Sequence, residues 1–175
     1  MACLLKSKRD VALSFSILES SDNKQVDRSN GISIEPNVSG LELIEDVFLG
    51  NSGFTVSNLN TIGAEVGQAY FSEGNPALGI ESGVMLTTGP ATDYTGPNVS
   101  TSTGTSLGES GDVDLSEIAN SPTNDAVGIE FDLVPTVEQL SFRFVFASDE
   151  YCEYSSSLFN DAFGFRMFRV WCGIL

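Results

Sequence analysis

The chain has 175 residues and carries 24 acidic against 8 basic side chains, so its formal net charge is −16. This length suits one domain, and a hydrophobic share of 41 % with 12 Phe is too apolar for a disordered acidic segment. Phosphate recognition requires clustered Lys and Arg, so the composition excludes nucleic acid as a partner. The absence of histidine excludes Ser-His and Cys-His nucleophiles and His-ligated metal centres. No apolar run approaches the roughly 20 residues of a membrane-spanning helix.

The basic residues are unevenly distributed along the chain. Between Ser29 and Phe142 there is no Lys or Arg, although 16 acidic residues fall in that span. Such carboxylates must be solvated, spread apart or neutralised by a bound cation. A hydrated acidic surface and a specific divalent-cation site are therefore both open. The three cysteines have no metal-ligand spacing and predict no disulfide framework.

The first predicted element is a helix near residues 40–49, which follows a poorly defined N-terminal segment, residues 1–30, with no recognisable signal peptide. Ser39 and Glu42 have the spacing of a capping box, and Gly50 offers a stop. An apolar stripe at helical period, widened by Leu43, predicts a core-packing helix and consists of Leu41, Ile44, Val47 and Phe48.

Strand patterns dominate the rest of the chain. Residues 54–59, 68–71 and 83–88 predict strands, and the Thr-, Ser- and Gly-rich residues 87–111 predict a long surface loop. Apolar residues alternate over 127–133 and again over 140–146, which predicts an antiparallel pair around a Phe-rich core. The predicted fold class is mainly β: an antiparallel β-sandwich of jelly-roll type with the one N-terminal helix.

A first acidic cluster lies in the sequence Gly-Asp-Val-Asp-Leu at residues 111–115. Asp112 and Asp114 alternate after a glycine, so a turn can direct both carboxylates at one hard cation such as Ca²⁺. The later Gly and the bidentate Glu of an EF-hand loop are absent, which leaves a calcium loop of another kind. The alternative is that Asp112 caps a short apolar turn at 115–119.

A second acidic cluster follows the last predicted strand. Its oxygen-only donor set suits calcium rather than zinc, and the alternative is structural hydrogen bonding to neighbouring turns. The candidate calcium ligands in this cluster are Asp149, Glu150, Asn160 and Asp161.

One further pair of acids permits a test for glycoside hydrolysis, which needs paired carboxylates. Glu130 and Asp132 share one strand face, similar to the opening of the catalytic strand in sandwich-fold glycanases. The further Glu of that motif is missing, because residues 133–135 are Leu, Val and Pro. A catalytic site is therefore not predicted.

The ordered set of motifs resembles the choice-of-anchor L domain, a module of bacterial surface proteins. The matching stretches cover about residues 40–165 and read LELIEDVFLG (41–50), TVSN (55–58), LGIESGVMLTTG (78–89), GPN (96–98), GDVDL (111–115), IEFDLVP (129–135), LSFRFVFASDEYCEY (140–154) and FNDAFGF (159–165). In the family the last motif continues into more strand, so residues 166–175 are interpreted as an atypical tail of a truncated or frame-shifted product. The predicted domain spans residues 31–165.

The resemblance implies a non-enzymatic extracellular or cell-surface module, adhesive or structural. The two acidic clusters make calcium the only expected cofactor. Its expected partner is a surface ligand, either protein or glycan. The alternative is a carbohydrate-binding or degenerate carbohydrate-active sandwich, whose aromatic candidates are Tyr94, Tyr151 and Tyr154.

Overall fold

The computed structural model describes residues 2–9, 31–97, 104–136, 141–147 and 161–170, with residues 2–9 and 168–170 described by their backbone alone. Strands predominate in these ranges, and the helices are short. The strands are β1 (Ala2–Arg9), β2 (Ser33–Pro36), β3 (Thr55–Ile62), β4 (Gln68–Ser72), β5 (Gly83–Leu86), β6 (Ala126–Val134) and β7 (Ala162–Val170). The helices are α1 (Gly40–Glu42), a π-helix (Leu43–Phe48), α2 (Asn75–Leu78) and α3 (Val113–Ala119), with 3₁₀ turns at Glu65–Gly67 and Ala91–Tyr94.

Two sheets are formed, one of four strands in the order β3-β6-β1-β7 and one of three strands in the order β2-β4-β5. The ladders β3–β6, β2–β4 and β4–β5 are antiparallel, which agrees with the predicted fold class, although these particular pairings were not predicted. The strand β1 instead pairs in parallel with both β6 and β7. The four-stranded sheet is therefore mixed, and the jelly-roll topology stays a prediction.

The strand predicted at 127–133 is observed as β6, but its predicted pairing with residues 140–146 is wrong. The central strand β6 pairs with β3 and β1, whereas described residues 141–147 form no strand. The alternating phenylalanines of that segment still pack on aromatic rings: the centroid of Phe142 lies 4.6 Å from that of Phe165, and that of Phe144 lies 5.0 Å from that of Phe163. The apolar alternation thus reports contact with β7 through side chains rather than a backbone ladder.

Helical residues occur at Gly40–Phe48, where the sequence predicts a helix. Only the first turn is α-helical, and Leu43–Phe48 is a π-helix, in which the Leu49 N–H donates to the carbonyl of Ile44 at 2.9 Å. Hydrogen bonds over five residues bring residues five apart onto one face. Leu43 and Ile44 are consequently buried together with Phe48 and Leu49 beside them, while Leu41 lies outside the core.

The predicted capping box is confirmed. The Ser39 hydroxyl accepts from the Glu42 N–H at 3.3 Å, and the Glu42 carboxylate accepts from the Ser39 N–H at 3.1 Å and from its hydroxyl at 2.7 Å. The hydrogen bonds from the Ser39 side chain and backbone lower the pKa of Glu42, because they stabilise the charged carboxylate.

We expect Ser39→Ala to lower the free energy of unfolding by about 1 kcal/mol at neutral pH. The contribution of Glu42 requires its ionised form, so it is present above the ordinary glutamate pKa and is lost as the pH falls through the lowered pKa. Chemical denaturation of both proteins between neutral and acid pH checks this. The difference in stability should become smaller in acid but persist in part, because the Ser39 hydroxyl still accepts from the Glu42 N–H. Ser52→Ala, at an exposed serine beyond the helical segment, is the control. A difference that persists unchanged at low pH would contradict the capping role of the carboxylate.

One core joins both sheets to the helical segment. Its buried residues come from β6 and the π-helix and are Leu43, Ile44, Ile129, Phe131 and Leu133. Side chains of β3, β4 and β5 pack around them, including Val56, Tyr70 and Leu86. On the opposite face of β6, Leu115 of α3 and Ala126 form a smaller cluster with Ile62. The helix α3 is therefore anchored by a single buried leucine, which packs at the start of β6.

Candidate functional site

The first acidic cluster forms the start of α3. Asp112 is the N-cap residue, and its carboxylate accepts from the Leu115 N–H at 2.9 Å. This arrangement satisfies a backbone donor that has no partner inside the helix. The helix begins here because an extended Asp residue precedes an apolar turn whose leucine is fully buried. Asp112 therefore has the capping role that the sequence predicts as the alternative to calcium binding.

The loop around this cap is tied to the chain just before β6. The Thr123 hydroxyl accepts from the Asp112 N–H and donates to the Asp112 carbonyl, both at 3.1 Å. Ser116 Oγ donates to the same carbonyl at 2.7 Å and accepts from the Thr123 N–H at 3.1 Å. Gly111 packs directly against the Thr123 carbonyl, and a Cβ at this position would overlap that carbonyl. The glycine of the Gly-Asp-Val-Asp-Leu motif therefore has a packing reason.

A second aspartate, which the sequence analysis missed, holds the preceding loop. The Asp125 carboxylate accepts from the Ser106 hydroxyl at 2.7 Å and from the Glu109 N–H at 2.6 Å. Asp125 adopts a positive φ of 48° at the end of the turn-forming sequence Ser-Pro-Thr-Asn-Asp, residues 121–125. That turn composition was the available signal.

The other member of the first cluster, Asp114, pairs with a cation supplied by β7. Arg166 Nη1 lies 2.7 Å from Asp114 Oδ1 and 2.8 Å from Glu117 Oε2. The Arg166 and Asp114 side chains are 31 % and 22 % exposed, so solvent limits the pair to less than about 1 kcal/mol. Arg166, which the sequence analysis assigned to an atypical tail, thus joins α3 to the sheet and neutralises part of the first acidic cluster.

The second acidic cluster is represented by one described residue. Asp161 immediately precedes β7 and is half-buried, while Asp149, Glu150 and Asn160 lie outside the described residues. Among the described residues, no group of three or more Cys, Asp or Glu side chains has the arrangement of a metal site. Calcium at this cluster stays a prediction.

The pair on β6 is held by amides of β3. Asn60 donates to the Glu130 carboxylate at 3.3 Å, and Asn58 donates to Asp132 Oδ2 at 2.7 Å. Asp132 is only 8 % exposed, and its buried Oδ1 has no hydrogen-bond partner among the described residues. Each β6 carboxylate is thus hydrogen-bonded to an amide of β3, with Asp132 shielded from the surface and Glu130 only partly buried.

A shallow cleft of about 350 Å³ lies between β2, β4 and the helical segment. It combines the half-buried ring of Tyr70 with three carboxylates, those of Glu35, Glu42 and Asp46. No sequence pattern indicated Tyr70 as a candidate site residue. The described aromatic candidate Tyr94 instead lies beside Gly104, where a Cβ would meet its hydroxyl.

None of the helices in the described part of the chain has the length and apolar character needed to cross a bilayer. The family model of the choice-of-anchor L domain matches residues 29–170. This match includes β2 to β7, the capped helix α3 and Arg166, and it leaves β1 outside. No curated protein and no solved structure shows a significant match.

Proposed function

Because the chain belongs to the choice-of-anchor L domain family, we propose that it is a non-enzymatic module of the cell surface or extracellular space that acts by binding. The observation that carries the proposal is the family match over most of the chain. The expected partner is a protein on a neighbouring surface.

The burial of Asp132, one member of the β6 carboxylate pair, supports a binding role over hydrolysis. A glycosidase needs both carboxyl groups in contact with the substrate. Asp132 is recessed and bonded to Asn58, so a polysaccharide on the surface would not reach both acids. The third acid of the glycanase motif is absent from the sequence as well.

Exposed aromatic side chains provide the contact surface of this proposal. Phe144 and Phe146 are 41 % and 44 % exposed and lie beside the ring of Phe163, with ring centroids 5.0 and 6.1 Å from it. Grouped exposed aromatics mark binding surfaces, because their burial supplies much of the affinity of an interface. We define the aromatic ledge as Phe144, Phe146 and Phe163.

The test is binding of the purified chain to immobilised extracellular-matrix proteins and to polysaccharides in parallel. We expect saturable binding to a protein surface that the double variant Phe144→Ser/Phe146→Ser loses. Val113→Ser, which alters an 83 % exposed apolar residue on α3, is the matched control and should bind normally. Equal binding by both variants would refute the ledge, and sugar release from any polysaccharide would refute the non-enzymatic assignment.

We extend the proposal to calcium stabilisation through the second acidic cluster, and the first cluster provides the control. Asp112→Ala should lower the free energy of unfolding by about 1 kcal/mol equally in calcium and in chelator, because it removes a helix cap. Asp161→Ala should abolish the increase in melting temperature that calcium gives to the parent chain. Thermal melts followed by circular dichroism measure both. If calcium shifts neither the parent chain nor the variants, calcium has no part in the module.

The carbohydrate-binding alternative is favoured by the Tyr70 cleft. Sugars bind where an aromatic ring lies beside hydrogen-bonding groups, and Tyr70 lies beside Glu35, Glu42 and Asp46. A glycan array with the parent chain and Asp46→Asn distinguishes the two functions. Glycan binding that Asp46→Asn weakens would support this alternative, whereas matrix-protein binding lost with the ledge supports the first.

A further inference from the structure

The strand β1 lies inside the four-stranded sheet, although it precedes the residues that the family model matches. It lies between β6 and β7 and forms parallel ladders with both over residues 2–7. The family match begins only at residue 29. In the matched region, the facing edges of β6 and β7 are therefore bridged by β1, a strand that the match does not include.

The connectivity of β1 favours its behaviour as a separable ligand of the domain. No hairpin joins it to β6 or β7, because both neighbours are parallel to it and lie more than a hundred residues further along the chain. Within the described structure, β1 contacts mainly β6 and β7 and touches α3 to a lesser extent. Residues 10–30 join β1 to the matched region, and closing a loop costs entropy, so attachment within one chain gives β1 only a finite effective concentration at its own slot.

The charge of β1 complements the body of the protein. Its eight residues contain Lys6, Lys8 and Arg9 and no acid, although the chain as a whole has a net charge of −16. Lys6 lies at the register position between Glu130 of β6 and Arg166 of β7. The acid at the register position of Lys6 is Glu130 of β6. Arg166, on the other side of Lys6, forms ion pairs with Asp114 and Glu117 of α3.

The covalent reach of the chain permits docking on another copy. Residues 10–30, which lie outside the described residues, can span at most about 70 Å. This distance is several times the radius of gyration of about 16 Å expected for a compact chain of this length. Strand addition at a sheet edge is a general mode of protein association, and exchange of an identical element joins copies at low cost.

We propose that the slot between β6 and β7 is a strand-acceptor site and that its partner is residues 2–9 of a second copy of this chain. At high local concentration, two copies exchange β1 and form a dimer. The register in the exchanged dimer is the one that each copy uses for its own strand, with Lys6 beside Glu130.

The test uses two full-length variants that each carry one cysteine, Ser7→Cys and Met167→Cys, at paired positions of β1 and β7. Paired residues of adjacent strands have Cα atoms within the roughly 4–7 Å that a disulfide spans. The three native cysteines are replaced by serine in both proteins: Cys3, Cys152 and Cys172. The two proteins are unfolded together, refolded at high concentration and oxidised.

We expect a disulfide-linked heterodimer, because the strand of one copy lies beside β7 of the other. A pair with Ala162→Cys in place of Met167→Cys is the control, since that position lies about 16 Å from the partner of Ser7 along the strand. The double variant Ser7→Cys/Met167→Cys, treated alone in dilute solution, measures docking within one chain. An internal disulfide in the double variant without any heterodimer at high concentration would overturn exchange. Absence of both products would overturn the slot itself.

Charge reversal separates specific docking from general attraction. Lys6→Glu in the Ser7→Cys protein should cause loss of the heterodimer, because two acids then share one register position. Lys24→Glu makes the same change in net charge outside β1 and should leave the yield intact. Glu130→Lys in the acceptor should restore the dimer with Lys6→Glu. Equal loss with Lys24→Glu, or no rescue, would contradict a register set by this pair.

Discussion

Replacing Leu43 with alanine is expected to lower the free energy of unfolding by about 3 kcal/mol. Leu43 is fully buried at the start of the π-helix, in the cluster that contains Ile44 and Ile129. The cost combines the lost burial of the side chain with the cavity that β6 and the helical segment would leave between them. Urea denaturation of the parent chain and the variant measures this difference.

Leu41→Ala is the matched control for that experiment. It makes the same chemical change two residues away, at a side chain that is 47 % exposed. The expected loss is below about 1 kcal/mol, because little buried surface is removed. Comparable losses in the two variants would mean that the segment is an ordinary α-helix with Leu41 on its buried face.

Gly111→Ala is expected to destabilise the chain by about 2–3 kcal/mol. The added Cβ would overlap the Thr123 carbonyl, and that backbone has little freedom to move because Thr123 is hydrogen-bonded to both Asp112 and Ser116. Relief of the overlap therefore has to disturb the cap of α3. A lowered melting temperature, together with faster hydrogen exchange at the Leu115 amide, would show this.

Gly108→Ala tests whether the cost comes from the contact or from loss of glycine in general. Gly108 has a positive φ of 70° and nothing within 4 Å of an added Cβ. Its replacement should cost about 1 kcal/mol through backbone strain and leave the Leu115 amide protected. If Gly111→Ala destabilises the chain no more than Gly108→Ala does, the close approach of Gly111 to Thr123 does not contribute to the loss of stability.

Local patterns in the sequence were sufficient where the interaction partners are neighbours along the chain. Ser39 and Glu42 form the capping box that their spacing predicts, and Asp112 caps the turn that its alternative interpretation assigns to it. The alternation over 127–133 predicts a strand with Ile129 and Phe131 on its buried face, which β6 confirms. In each case the period or the spacing alone specifies which groups meet.

The same patterns failed where packing changed the geometry. The period of an α-helix places Leu41 in the apolar stripe and Leu43 at its margin, whereas the structure exposes Leu41 and buries Leu43 at the start of the π-helix. The alternation over 140–146 predicts a ladder with β6, whereas described residues 141–147 contact β7 through rings such as those of Phe142 and Phe165. Alternation reports a buried face and carries no information about which backbone lies alongside.

By itself, the sequence determined that this is an acidic, mainly β domain of the choice-of-anchor L family, because composition, alternation and ordered motifs are properties of the chain alone. Only the tertiary structure decided the partners. It brings Arg166 to Asp114, recesses Asp132 beneath Asn58 and places β1 between β6 and β7. These contacts join residues that are distant along the chain, and strand order and register depend on the competition among all such pairings for one buried surface.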